Sequence, residues 1–252
     1  MTSDLGRHSR NGLGALPSLV LPAGGPVAAG EGPSPGPGQP EAARDGDEPL
    51  GGWPKRLVDL AFAILGLVLA APVMLLVAIL IKLVDRGPVF FAHPRVGFRG
   101  CSFRCYKFRT MGVDAEARLA RHLARDPEAA REWRETQKLR RDPRVGVLGG
   151  LLRQTSLDEL PQLFNILRGD MSCVGPRPVT QEELARYGAR VDCYLRARPG
   201  LTGAWQVAGR SSAGYETRVQ LDAEYVDDWS LRADLAILCR TPMAVARLGE
   251  AC

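Results

Sequence analysis

From residue 60 to residue 81 the chain carries no charged side chain, and Asp59 and Lys82 bound that run of 22 residues. It exceeds the ~18 apolar residues that mark a membrane segment, whereas a buried core helix is usually shorter. Pro72 lies near its middle, where it removes a helix hydrogen bond and crowds the preceding turn. A bend of this kind is tolerated in lipid by local rearrangement. Lys55 and Arg56 precede the run, and Lys82, Arg86, Arg95 and Arg99 follow it. Positive residues mark the cytoplasmic side of a membrane, and here both flanks are marked. A Pro-kinked span would place one basic flank outside. A re-entrant helix bending at Ala71-Pro72 would keep both on one face. The residues alone leave both readings open.

Three zones follow. Residues 1–52 are rich in Gly and Pro, as in Gly32-Pro33-Ser34-Pro35-Gly36-Pro37, and bury too little apolar surface to offset the entropy of ordering; they read as a disordered tail. Residues 53–84 form the membrane helix. Residues 85–252 have the mixed composition of a globular domain. Within it, Val89-Phe90-Phe91 and Phe103 to Phe108, separated by Gly97 and Gly100, predict a β-hairpin. Asp114 to Leu139 reads as helix broken near Asp126-Pro127. Leu231, Leu235, Leu238 and Val245 recur at helical spacing, which predicts a helix facing the core or lying on an acidic membrane surface. The fold class expected is α+β, mainly helical.

The formal net charge of +5 favours anionic partners. No run of alternating basic and aromatic residues of the kind nucleic-acid binders use is present, so nucleic acid is not expected. The six cysteines show no CxxC or Cys/His zinc spacing and read as free thiols facing a reducing compartment, the cytoplasm.

Four stretches could do chemistry. Ser156-Leu157-Asp158-Glu159 fits a helix capping box; in the first helical turn the dipole would favour ionised Asp158 as nucleophile or metal ligand. Pro176-Arg177-Pro178 sets an arginine on a stiffened backbone, and Arg is well shaped to grip phosphate with two parallel hydrogen bonds. Lys107 and Arg109 alternate along a predicted strand and so share a face. Arg198 to Val207 holds turn residues before a short apolar run, with Trp205 read as core.

In this order, with Gly87-Pro88-Val89-Phe90-Phe91, Arg95-Val96-Gly97, Asp142-Pro143-Arg144-Val145, Leu152 to Leu163, Gly169 to Pro178 and Leu221 to Leu231, these blocks resemble the bacterial sugar transferase family, the monotopic phosphoglycosyl transferases. The resemblance covers residues 55–245. It implies a sugar 1-phosphate transfer from a UDP-sugar to polyprenyl (undecaprenyl) phosphate with release of UMP, the first membrane step of exopolysaccharide or glycoconjugate synthesis. It makes Asp158 the covalent nucleophile and a Mg²⁺ ligand, and Glu159 its catalytic partner. Arg177 with Pro176 and Pro178 becomes the phosphate-binding element, seconded by Lys107 and Arg109. It also implies a re-entrant helix broken at Pro72, contact with membrane lipids and a catalytic domain on the cytoplasmic face of the inner membrane; a homo-oligomer stays open. His93-Pro94, Phe98 to Cys101 and Ala71 depart from the family pattern, and the first two fall in the hairpin, where they bear on donor choice. A silent membrane scaffold and a Mg²⁺-dependent phosphate hydrolase are the rival classes.

Overall fold

The computed structural model describes residues 48–136, 139–208 and 214–246; most of the expected tail, residues 1–47, lies outside them. Gly52–Val84 forms one helix, α1, that runs through Pro72 without interruption. Over its most apolar 18-residue window the mean hydropathy is 3.0, and only 17% of that window is covered by the rest of the protein. A core helix of that hydropathy would be covered all round. Instead Phe62, Leu65, Val68, Leu69, Leu76 and Ile79 are exposed, an apolar surface that needs lipid rather than water. Pro72 sits on this outer face, so its missing N–H disturbs the side turned away from the domain.

The inner face is a single stripe. Lys55, Asp59, Ala63, Leu67, Ala70, Met74, Val77 and Ile81 follow one another at spacings of three or four and pack on the domain along the length of α1. Its first two members are charged and buried. Lys55 Nζ donates to Asp234 Oδ2 at 2.6 Å and to the Tyr225 hydroxyl at 3.1 Å. Asp59 Oδ1 accepts from the Cys173 amide at 2.8 Å and from Ser172 Oγ at 2.9 Å. Farther along, Met74, Val77 and Ile81 cluster with Phe108 and Leu152.

After α1 come β1 (Phe90–Val96) and β2 (Ser102–Phe108), the expected antiparallel hairpin, with Phe90 opposite Phe108 and Val96 opposite Ser102. The predicted long helix is α2 (Ala115–Arg125) and α3 (Pro127–Thr136), broken where expected. Asp126 Oδ1 accepts from the amides of Glu128 and Ala129, and Pro127 opens the new helix, where it needs no N–H. Then follow α4 (Val147–Gln154), a 3₁₀ turn (Leu157–Glu159), α5 (Gln162–Arg168), β3 (Ser172–Val174), α6 (Gln181–Ala185), α7 (Val191–Leu195), β4 (Gly200–Thr202), α8 (Ala204–Val207), α9 (Tyr215–Asp227) and α10 (Leu231–Ala246).

The mainly helical α+β expectation holds, with one addition: β3 and β4 pair in parallel, Ser172 opposite Gly200. Each is three residues long, too short for an alternation to register. A side chain on Gly200 would come within 2.1 Å of the Gly175 amide nitrogen, so this approach requires glycine. On α10 the core face is Asp234, Ile237, Leu238 and Thr241, with Leu235 exposed. Of the residues whose spacing predicted this helix, Leu238 packs on the core and Leu231 and Val245 are half-buried, so only Leu235 falls off the inward face, which is anchored by the Asp234 carboxylate. The five described cysteines are all free thiols.

The Asp234 carboxylate holds Lys55, the Tyr225 hydroxyl at 2.6 Å and Trp229 Nε1 at 3.1 Å. Removing it strands all three in a buried setting. Asp234→Ala is expected to cost about 3–5 kcal/mol, read by denaturant unfolding of the detergent-solubilised protein. A Lys55→Met/Asp234→Leu pair should recover most of that loss.

Candidate functional site

The acidic pair stands on the 3₁₀ turn between α4 and α5. The expected capping box does not form. Ser156 adopts a left-handed conformation, φ 57°, and its side chain caps nothing. Glu159 instead turns its carboxylate to Lys107 Nζ, 2.7 Å away. The same ammonium lies 3.7 Å from Asp158 Oδ2, so one cation bridges both acids. Arg177 Nη1 approaches Glu159 to 3.8 Å.

Asp158 is buried, with 7% of its surface exposed. Burial pushes its pKa above the ordinary carboxylate value, and Lys107, then Arg153, pull it back. The dipole reading of the sequence expected the opposite sign. The pair stands on a 3₁₀ turn and not in the first turn of a regular helix, and burial is the largest influence on Asp158. A largely desolvated carboxylate next to a cation is less hydrated than one in water, which suits a nucleophile.

Lys107 is placed by a buried asparagine. Asn165 on α5 accepts the Tyr106 amide at 3.0 Å and donates to the Arg104 carbonyl at 2.7 Å, clamping β2 to the helix that follows the acidic turn. Arg109 behaves differently. β2 ends at Phe108, so the alternation that would put Arg109 beside Lys107 stops short. Its guanidinium donates to the Asp85 carbonyl at 2.6 Å and pairs with the Asp85 carboxylate at 3.2 Å, joining the hairpin to the end of α1.

The Pro176-Arg177-Pro178 loop is held from behind. The Pro176 carbonyl accepts the Gly200 amide at 2.8 Å, and the Val179 carbonyl accepts the Val96 amide at 2.9 Å. The Tyr194 hydroxyl accepts from the Val179 amide and donates to the Val96 carbonyl at 2.7 Å. Arg218 reaches the Arg177 carbonyl at 3.4 Å, lies 5.2 Å from the Trp205 ring centroid, and sits 3.8 Å from buried Asp222. Trp205 thus forms a platform for that arginine. Burial raises Asp222 to about 6 against the pull of the Tyr187 hydroxyl and Arg218.

Arg95, Cys105, Lys107, Glu159, Gln162, Arg177 and Pro178 line one small polar cavity. The sequence singled out Lys107, Glu159, Arg177 and Pro178 for roles; Arg95, Gln162 and Asp222 fell inside blocks of the resemblance without a role, and Asn165, Tyr187 and Arg218 carried no local pattern to flag them. Cys105 is no rival nucleophile, since burial pushes its thiol to about 11. No group of three or more His, Cys, Asp or Glu side chains with metal-site geometry occurs among the described residues. The arrangement is a buried Asp158 beside a half-buried Glu159 inside an arc of Arg and Lys, suited to receive a polyanionic phosphate and attack it.

Residues 51–248 match the family described as bacterial sugar transferase. The chain is 51% identical over 197 residues to the exopolysaccharide production protein ExoY of Sinorhizobium fredii, covering 78% of this chain and 87% of that protein. It is 48% identical over 193 residues to an undecaprenyl-phosphate galactose phosphotransferase of Salmonella typhimurium, covering 77% of this chain and 40% of the relative. It is 43% identical over 197 residues to a UDP-glucose:undecaprenyl-phosphate glucose-1-phosphate transferase of Caulobacter vibrioides, covering 74% and 67%. With four-fifths of its length inside the family match and its acidic pair set among phosphate-seeking cations, the chain belongs to the bacterial sugar transferase family and is a phosphoglycosyl transferase.

Proposed function

We propose that the chain transfers a sugar 1-phosphate from a UDP-sugar to polyprenyl phosphate through a covalent intermediate on Asp158, on the cytoplasmic face of the membrane, as the opening step of exopolysaccharide or glycoconjugate assembly. The observation that carries this reading is the buried Asp158 carboxylate held 3.7 Å from Lys107 in the arc that Arg177 completes. An Asp158 oxygen attacks the sugar-proximal phosphorus, a P–O bond to the aspartate forms, and the bond to the departing UMP breaks. An oxygen of polyprenyl phosphate then attacks the same phosphorus, forming the diphosphate and returning Asp158 as carboxylate. Lys107 and Arg177 offset the charge that builds on the phosphoryl oxygens. The relatives' names supply the substrate classes.

The acidic pair also fits a magnesium ion. Two adjacent carboxylates, with no third acidic or imidazole group joining them among the described residues, match an ion that takes one or two protein oxygens and completes its shell with substrate phosphate and water. Asp158 and Glu159 would hold it, and bound there it would supply Lewis-acid stabilisation of the leaving phosphate. Glu159, already engaged by Lys107, sets the orientation of that pair.

The stripe along α1 supports the re-entrant reading. Lys55 and Arg56 at one end and Ile81 near the other all engage the same domain, Arg56 through the carbonyls of Ile166 and Leu167. A crossing helix would carry one end away from it. Cysteines placed at Trp53 and Arg86 are both expected to resist an impermeant reagent in intact cells and to label after permeabilisation. Labelling of either in intact cells contradicts the topology.

Assays with a UDP-sugar, Mg²⁺ and undecaprenyl phosphate should yield UMP and polyprenyl-diphospho-sugar in equal amounts; free sugar phosphate as the product would mark a hydrolase. Asp158→Asn is expected to abolish turnover. Because burial disfavours the ionised Asp158, its charge costs stability as pH rises above the usual carboxylate range, so the variant's Tm at neutral pH should be no lower than wild type. Lys107→Met removes the cation that pulls the Asp158 pKa down. Its residual activity should therefore show an acid limb at higher pH than wild type, measured as kcat/KM against pH.

A further inference from the structure

An apolar cavity of about 230 Å³ lies directly behind the acidic turn. Its walls come from Phe62 of α1, Leu160 and Leu163 beside the turn, Leu201 of β4, and Leu238 and Val245 of α10. Glu159 and Leu201 line both this chamber and the small basic cavity of Arg95, Lys107 and Arg177. The two chambers thus meet at one wall, one lined by cations and the other by hydrocarbon.

The apolar chamber offers little to a polar ligand. Its threonines satisfy each other: Thr202 Oγ1 and Thr241 Oγ1 are 2.9 Å apart, and Thr241 also donates to the Ile237 carbonyl at 2.8 Å. Among the described residues no lysine or arginine lines it. On its far side Phe62 belongs to the lipid-facing helix and is itself 41% exposed, so the chamber borders the bilayer. At about 30 Å³ per water-sized group, it has room for roughly one to two five-carbon units.

Resting on the reading of Asp158 given above, we propose that this chamber binds the head-proximal isoprene units of the polyprenyl phosphate acceptor. The phosphate then lies among Lys107, Arg95 and Arg177, and the rest of the chain leaves past Phe62 and α10 into the membrane. The acceptor is recognised as an amphiphile, its anion and its first isoprenes read by adjoining chambers. A phospholipid acyl chain is the competing occupant.

The test is photo-crosslinking of the full-length wild-type protein in vesicles, with a polyprenyl phosphate carrying a diazirine on its first or second isoprene unit. Adducts are expected on peptides containing Leu160–Leu163, Leu201 or Leu238, and unmodified polyprenyl phosphate should suppress them. In parallel, Leu238→Trp, which fills the chamber, should raise the KM for polyprenyl phosphate about tenfold or more. Adducts confined to other peptides overturn the proposal. So does capture of a diazirine-labelled phospholipid acyl chain at the same residues that polyprenyl phosphate fails to displace. UMP release without acceptor reports separately on Asp158: its absence in the wild type sinks the covalent reading, whereas its presence with misplaced adducts sinks only the chamber.

Discussion

A helix that shows hydrocarbon to one side and a folded domain to the other must carry two surfaces with opposite demands, and the seam along α1 reconciles them. At its start the seam is polar: Lys55 is neutralised by Asp234, and Asp59 takes the amide of Cys173 and the hydroxyl of Ser172. Buried charges like these add little net stability over apolar packing, but they tolerate only the matched partner, so they set the rotation and register of the helix. The apolar half can then fill its space with Ala63, Met74, Val77 and Ile81 without choosing the orientation. The same contacts reach β3 and α10, which flank the site, so the position of the chemistry relative to the lipid-facing surface is set by this seam.

The site depends on a second balance. Asp158 is taken out of water far enough for its pKa to rise, yet Lys107 stands close enough to keep ionisation accessible. Asn165 makes that proximity reproducible by fixing the hairpin through two hydrogen bonds, at Arg104 and Tyr106, just before the lysine. Without the clamp a long flexible side chain would lose entropy on every visit to the acids. The Pro176–Pro178 loop adds the stiffness of two prolines to the Arg218 contact on its Arg177 carbonyl, and the Tyr194 hydroxyl, bonding both Val96 and Val179, ties that loop to the hairpin that carries Lys107.

Much of this was legible from residues. The charge-free run announced α1, the Asp126-Pro127 break announced the α2–α3 boundary, and the ordered blocks pointed to the family. What stayed hidden was non-local. The Ser156-to-Glu159 pattern looks like a cap because that motif is judged over four residues, while the competitor that wins Glu159 is Lys107, 52 residues earlier. Arg109 could not be separated from Lys107 because its partner, Asp85, lies 24 residues earlier at the end of α1. The parallel β3–β4 pair joins segments far apart in sequence through Gly175 and Gly200, and Asp222 is an ordinary helical aspartate until Tyr187 and Arg218 surround it.

The central claim is that Asp158 itself becomes phosphorylated by the sugar phosphate. The direct measurement is intact-protein mass spectrometry of wild type and Asp158→Asn after brief exposure to a UDP-sugar and Mg²⁺ without acceptor, followed by peptide mapping. The expected result is a gain equal to one sugar phosphate on the peptide containing Asp158, discharged by adding polyprenyl phosphate and absent from the variant. An active enzyme that forms its lipid product while the adduct maps to another residue would contradict it.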